Sequence, residues 1–229
     1  MNDTGLRSGA IALGVVGVGG VLLLYWMIFF WVPTEATMGV VQRIFYLHVP
    51  SAWVGELAFG LCALCSAVYL WLRDERLDMA AVSLAEGGLV FLTMTLIAGP
   101  LWARVAWGWY WQWEPRLTLT LLLWLIFFGY FMVRGSSGSE ERGRRLGAVI
   151  AIIGALDIPF IHLSVVWFRS LHPQPVVMKP EGPTLDPRML ATLLTGLAAF
   201  TVLFFSLFLL RYGLERARRQ ASVFLEGAR

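Results

Sequence analysis

The sequence predicts an all-α integral membrane protein with six transmembrane helices and both termini in the cytoplasm. Three observations carry this reading. The 229 residues are 58% hydrophobic and only 14% charged, more apolar surface than a soluble domain of that length can hide. Six apolar stretches approach the roughly 20 residues needed to cross about 30 Å of hydrocarbon. The basic residues are distributed unevenly around those stretches.

The six stretches are residues 10–32, 50–72, 79–100, 117–133, 146–167 and 189–210. The first is too long for a secretory leader core and follows a single basic residue, so it reads as a retained span. The second begins at Pro50 and the third ends at Pro100. The fourth is the shortest. The fifth carries Pro159 in its second half, and the sixth ends against a basic tail. The whole of 1–229 reads as one membrane domain.

Orientation follows from Arg and Lys. The N-terminus, the second and fourth connections and the C-terminus hold twelve of the 18 basic residues, and the other connections hold six. The richer side belongs in the cytoplasm. The first, third and fifth connections therefore face outward. Residues 135–138 and the basic run after them read as a flexible cytoplasmic connection. The tail at 211–219 reads as a helix end meeting anionic lipid, not as a nucleic-acid site.

Several functions are excluded or disfavoured. No phosphate-cradling glycine loop is present, and the sole lysine, Lys179, lies in an outer connection. The chain therefore cannot hydrolyse ATP by itself. Cys62 and Cys65 have redox-motif spacing but sit in a continuous apolar run, where a thiol packs as a small apolar group.

The outer side is unusual. Nine of the ten prolines lie at or beyond the outer helix ends, and the tenth, Pro159, lies in the outer half of the fifth span. Proline fixes φ and removes a donor, so this side is built from stiffened, irregular backbone. Of eleven tryptophans, only Trp71 sits at an inner helix end. A lipid-interface belt would populate both ends. All three histidines share the outer side: His48 just before the second span, His162 near the outer end of the fifth, and His172 in the last outer connection.

Residues Trp107, Trp109, Tyr110, Trp111 and Trp113 form a broad, stiff apolar platform with indole donors at its edges. An extended chain would put the four tryptophans on one face, whereas a helical turn would pair Trp107 with Trp111. Pro115 disfavours helix at Glu114, and Glu114 and Arg116 then supply opposite charges at the platform's edge. A flat aromatic macrocycle suits such a surface. Haem adds an iron that accepts two imidazoles from opposite faces and propionates that favour arginine. His48 and His172, from two different connections, can supply the imidazoles. His162 lies on a span and reads as a supporting or relay group; Asp157, a second candidate for that role, is five residues away across Pro159 and need not share its face. Glu56, Glu86 and Asp157 are ionisable groups within spans, each costing about 2.5–3.5 kcal/mol at the bilayer centre. Glu56 lies near the outer end of its span, within reach of water. Structural pairing inside the bundle is the plain explanation for the three.

At this point the residues resemble a family. The run Trp107-Gly108-Trp109-Tyr110-Trp111-Gln112-Trp113-Glu114-Pro115-Arg116-Leu117-Thr118 looks like the WWD signature of haem-handling proteins of cytochrome c maturation, within a segment spanning 101–118. It is most similar to the CcmC family. Tyr46-Leu47-His48-Val49-Pro50 resembles that family's first histidine motif. Ile161-His162-Leu163-Ser164-Val165 and Leu171-His172 resemble its fifth span and second histidine. The resemblance covers essentially the whole chain.

It implies a non-enzymatic protein that presents haem b, bound non-covalently and transiently, at the outer face of the bacterial cytoplasmic membrane. His48 and His172 would be the axial ligands, with Trp107, Gly108, Trp109, Tyr110, Trp111, Trp113, Glu114 and Arg116 contacting the macrocycle. It further implies delivery to the membrane-anchored haem chaperone CcmE, together with the transporter components CcmA and CcmB and the small protein CcmD. The sequence departs from the family at Glu114, where aspartate is usual. Two other readings compete with this one. A quinol-oxidising membrane cytochrome would hold its histidines deeper in the spans. A haem-free transporter subunit would use the aromatic patch as a partner interface.

Overall fold

A computed structural model describes residues 3–168, 172, 177, 180 and 182–227. Its helices are α1 (Asp3–Trp26), α2 (Phe45–Leu72), α3 (Glu75–Trp107), α4 (Pro115–Ser136), α5 (Glu140–Ala155), α6 (Asp157–Trp167) and α7 (Pro187–Gly227). A π-helical turn, Met27–Trp31, prolongs α1, and a 3-10 turn, Val40–Ile44, leads into α2. Among the described residues there is no β-strand, and six segments are long and apolar enough to cross a membrane. They are Thr4–Trp31, Val40–Leu72, Glu75–Trp107, Pro115–Ser136, Glu140–Trp167 and Pro187–Ser222.

Every span exceeds its expected length, and two prolines explain much of the difference. Pro50 and Pro100 lie inside α2 and α3, not at their ends. Each lacks the N–H that would have bonded the carbonyl four residues back, of Tyr46 and Leu96 respectively, without breaking its helix. Pro159 does break one. Its ring conflicts with the carbonyl four residues back, at Ala155, where α5 ends. Leu156 closes that end with a 3.2 Å bond to Ile153, and α6 restarts at Asp157. The fifth crossing is therefore two helices.

Close approach by small residues holds the bundle together, as expected where lipid removes the hydrophobic drive between helices. A side chain at Gly17 would begin 2.9 Å from the backbone of Leu203, so α1 and α7 meet almost backbone to backbone. Ser206 donates to the Ala10 carbonyl across the same seam at 2.7 Å. In the centre, Phe59 of α2 stacks on Phe127 of α4 with ring centroids 3.6 Å apart. Trp124 of α4 donates to Thr93 of α3 at 2.8 Å. Cys62 is buried in this core and Cys65 partly so, both as free thiols.

One end of the bundle is a charged knot. Asp78 of α3, only 2% exposed, accepts two bonds from Arg134 of α4, at 2.6 and 3.0 Å, and another from Arg219 of α7. Arg144 of α5 binds Glu75, and Arg211 of α7 bridges Glu86 and Glu215. Glu86 is thus paired within the bundle. Asp157 is not: its Oδ2 is buried with no hydrogen-bond partner among the described residues. The aromatic segment lies at the other end, joining α3 to α4.

Candidate functional site

At the aromatic end, α2, α3, α4 and the connection to α7 enclose a cavity. Its interior is about 70 Å³, smaller than the roughly 300–1,000 Å³ of a small-ligand site, so it is a narrow cleft that opens at a mouth. Helical spacing builds its walls. His48, Ala52 and Glu56 follow one another at four-residue intervals down one face of α2. Thr95, Gly99 and Trp102 follow at intervals of four and three on α3, and Arg116, Leu117 and Thr120 come from the first turns of α4. Trp107, Trp111 and His172 complete the rim.

His48 therefore belongs to a helix and not to a connection, in the first turn of α2. Its ring fits edge-on against Trp102, centroids 5.8 Å apart. Its Nδ1 is buried with no hydrogen-bond partner among the described residues. His172, in the connection between α6 and α7, stands edge-on to Trp107 at 6.3 Å. The structure thus brings both predicted ligands to one cavity. Trp102 and Trp111 each carry a buried indole N–H with no acceptor among the described residues. A buried donor left unpaired is costly, so these groups suit a ligand with acceptor atoms.

The aromatic segment is neither a strand nor a helix throughout. Trp107 is the last residue of α3, and Gly108 terminates it in the left-handed region at φ 84°, a conformation open to glycine. Arg104 locks the turn, donating to the Gly108 carbonyl at 2.6 Å and lying 5.7 Å over the Tyr110 ring. Of the predicted contact residues, Trp107, Trp111 and Arg116 line the cavity. Trp109, Tyr110 and Trp113 do not, and are 58%, 59% and 76% exposed. Trp113 instead packs edge-on against the back of Trp111, at 5.5 Å.

Glu114 caps α4. Its carboxylate accepts from the Leu117 amide at 3.2 Å and its carbonyl from the Thr118 hydroxyl at 2.8 Å, with Pro115 in the first helical position. Aspartate is a stronger cap than glutamate, so capping gives a physical reason for an acidic residue at this point.

His162 lies outside the cavity lining. Its Nε2 is 2.7 Å from Glu56 Oε2, which places it directly behind a cavity-wall carboxylate. Asp157, the other candidate for a supporting role, is not among the cavity's lining residues either. Sequence reasoning missed Trp102, Thr95 and Gly99 as wall residues, and it did not join Glu56 to the site. Counting in fours from His48 would have found Glu56.

The chain matches the family described as Heme exporter protein C over residues 7–224. It is 35% identical over 188 residues to Heme exporter protein C of Bradyrhizobium diazoefficiens, spanning 82% of this chain and 72% of that one. It is 28% identical over 211 residues to the protein of the same name from Haemophilus influenzae, spanning 92% and 84%. A mitochondrial protein of Marchantia polymorpha, named as ccmC-like and for cytochrome c biosynthesis, is 30% identical over 171 residues, spanning 74% and 72%.

Proposed function

Because this chain belongs to the Heme exporter protein C family, a multi-pass membrane family with a role in haem export for cytochrome c biogenesis, we propose that its cavity is the haem site. One observation carries the reading. Two histidines from separate parts of the chain, two indole N–H donors and one arginine converge on a single aromatic-walled space.

In this reading the haem is b-type and held without covalent bonds. His48 and His172 bind the iron, which neutral imidazole suits. Trp107 and Trp111 cover the macrocycle, and Arg116 takes a propionate in a charge-assisted bond. Trp102 steadies His48 from the side. The helices place the cavity at the end opposite the arginine-rich knot. Basic residues mark the cytoplasmic side, so the cavity opens to the periplasm or cell exterior across the bacterial inner membrane. Both termini are then cytoplasmic. The cargo passes to the haem chaperone CcmE, with CcmA, CcmB and CcmD as the remaining partners, and the protein itself catalyses no reaction.

The test is transfer. Purified protein loaded with haem is mixed with apo-chaperone, and the haem spectrum of each is followed after separation. Haem moving to the chaperone supports the reading. Haem that stays put but is rapidly reduced by quinol supports the membrane cytochrome instead, and protein that never takes up haem supports a transporter subunit.

A further inference from the structure

Among the described residues, the cavity wall carries one carboxylate and one guanidinium, Glu56 and Arg116. No role assigned so far uses Glu56. Its side chain is 12% exposed, and His162 Nε2, 2.7 Å away, holds it in place. His162 itself is 56% exposed on the outside of the wall. Glu114 caps α4 and lies outside the cavity lining. Among the described residues, Glu56 is therefore the acid that shares the cavity wall with Arg116.

A haem propionate is the same chemical group as the glutamate side chain. Both seek a guanidinium, and two carboxylates sharing one site repel each other. We propose that Glu56 is an internal rival for Arg116. Before a ligand enters, it is the counter-charge of the guanidinium. Once a propionate arrives, it weakens the grip and keeps binding loose enough for onward transfer. Glu56 acts through Arg116, so it is a positioning residue, and the bond from His162 keeps its carboxylate at the wall. This inference rests on the cavity being a haem site.

The experiment titrates haemin and haemin dimethyl ester, which lacks free carboxylates, into the full-length detergent-purified protein. The variants are Glu56→Gln, Glu56→Asp, Arg116→Gln and the double variant Glu56→Gln/Arg116→Gln. Glu56→Gln keeps the size and the bond to His162 while removing the charge. It should bind haemin more tightly, on the order of tenfold, a coupling within the range for residues of one charged network. Release of haemin to apomyoglobin should slow in parallel. Glu56→Asp should stay near wild type. The diester should bind wild type and Glu56→Gln alike to within about twofold, and the Gln substitution should have no effect once Arg116 is gone. Equal or weaker haemin binding by Glu56→Gln overturns the inference and leaves the haem reading intact, as does equal tightening of the diester. A wild-type protein that binds neither compound overturns the haem reading itself.

Discussion

The imidazole of His48 lies close against the open face of Gly99. A β-carbon at Gly99 would fall 3.1 Å from His48 Cε1 and 3.6 Å from its Nδ1. Alanine in place of glycine within a helix is ordinarily stabilising by about 0.5–1 kcal/mol. Gly99→Ala should therefore keep or raise the melting temperature while pushing the His48 ring aside. Its haem absorption spectrum should depart from that of wild type. A wild-type spectrum in this variant would mean that the His48 ring is not held where the iron binds.

The aromatic segment should divide by the direction each ring faces. Trp107→Ala and Trp111→Ala remove cavity wall, and each should weaken haem binding by tenfold or more, since truncating a buried aromatic costs roughly 2 kcal/mol or above. Trp109→Ala should leave affinity within about threefold, as exposed positions usually do. Titration of haem into the three variants decides the matter, and equal losses in all three would refute the division.

Asp78 holds arginines from two other helices at the charged end. Asp78→Ala would strand Arg134 in a nearly closed site, at a cost of about 3–5 kcal/mol, while Arg219 keeps Glu75 and Glu215. The expected outcome is a clearly lower thermal midpoint in detergent, with haem affinity unchanged at low temperature because the cavity lies at the opposite end. A variant as stable as wild type would show that the knot is held by its other members.

Glu35, between α1 and α2, supports a tight turn by accepting from the backbone amides of Thr37 and Met38. The bond from Met38 is the main reason that its carboxyl group lies below the usual range. A carboxylate lowered in the folded state contributes fully above its unfolded value of about 4.3 and loses that contribution as pH falls through the folded value. Hydrogen-exchange protection of the Thr37 and Met38 amides, corrected for intrinsic rates, should therefore drop as the solution is acidified below pH 4. Glu35→Gln should show low protection at every pH. Protection indifferent to both changes would remove the carboxylate from the turn.

Much of the fold was legible because a span is a matter of length and composition, and the six stretches declared themselves. Their ends were less so. Pro50 and Pro100 looked like boundaries, yet a helix can lose one hydrogen bond and continue, whereas Pro159 stopped α5 four residues upstream at Ala155. In the site, residue type and side were enough to nominate His48, His172 and the run from Trp107 to Arg116, of which Trp107, Trp111 and Arg116 line the cavity with the two histidines. What sequence could not supply was the direction of each aromatic ring. That direction depends on the left-handed turn at Gly108 and on the bonds of Arg104. Nor could it supply the pairing of Glu56 with His162, which are 106 residues apart and meet only when the folded bundle brings α2 and α6 within reach. Glu114 read as a charged edge of the platform, because capping depends on the extended backbone that precedes α4.

The central claim is that His48 and His172 bind the iron of one haem in this cavity. It is tested most directly by absorption spectra of the purified protein, oxidised and reduced, beside those of His48→Ala and His172→Ala. The account predicts a b-type haem spectrum with two imidazole ligands in the wild type, and a lost or altered spectrum in each variant. Unchanged spectra and undiminished haem content in both variants would contradict it.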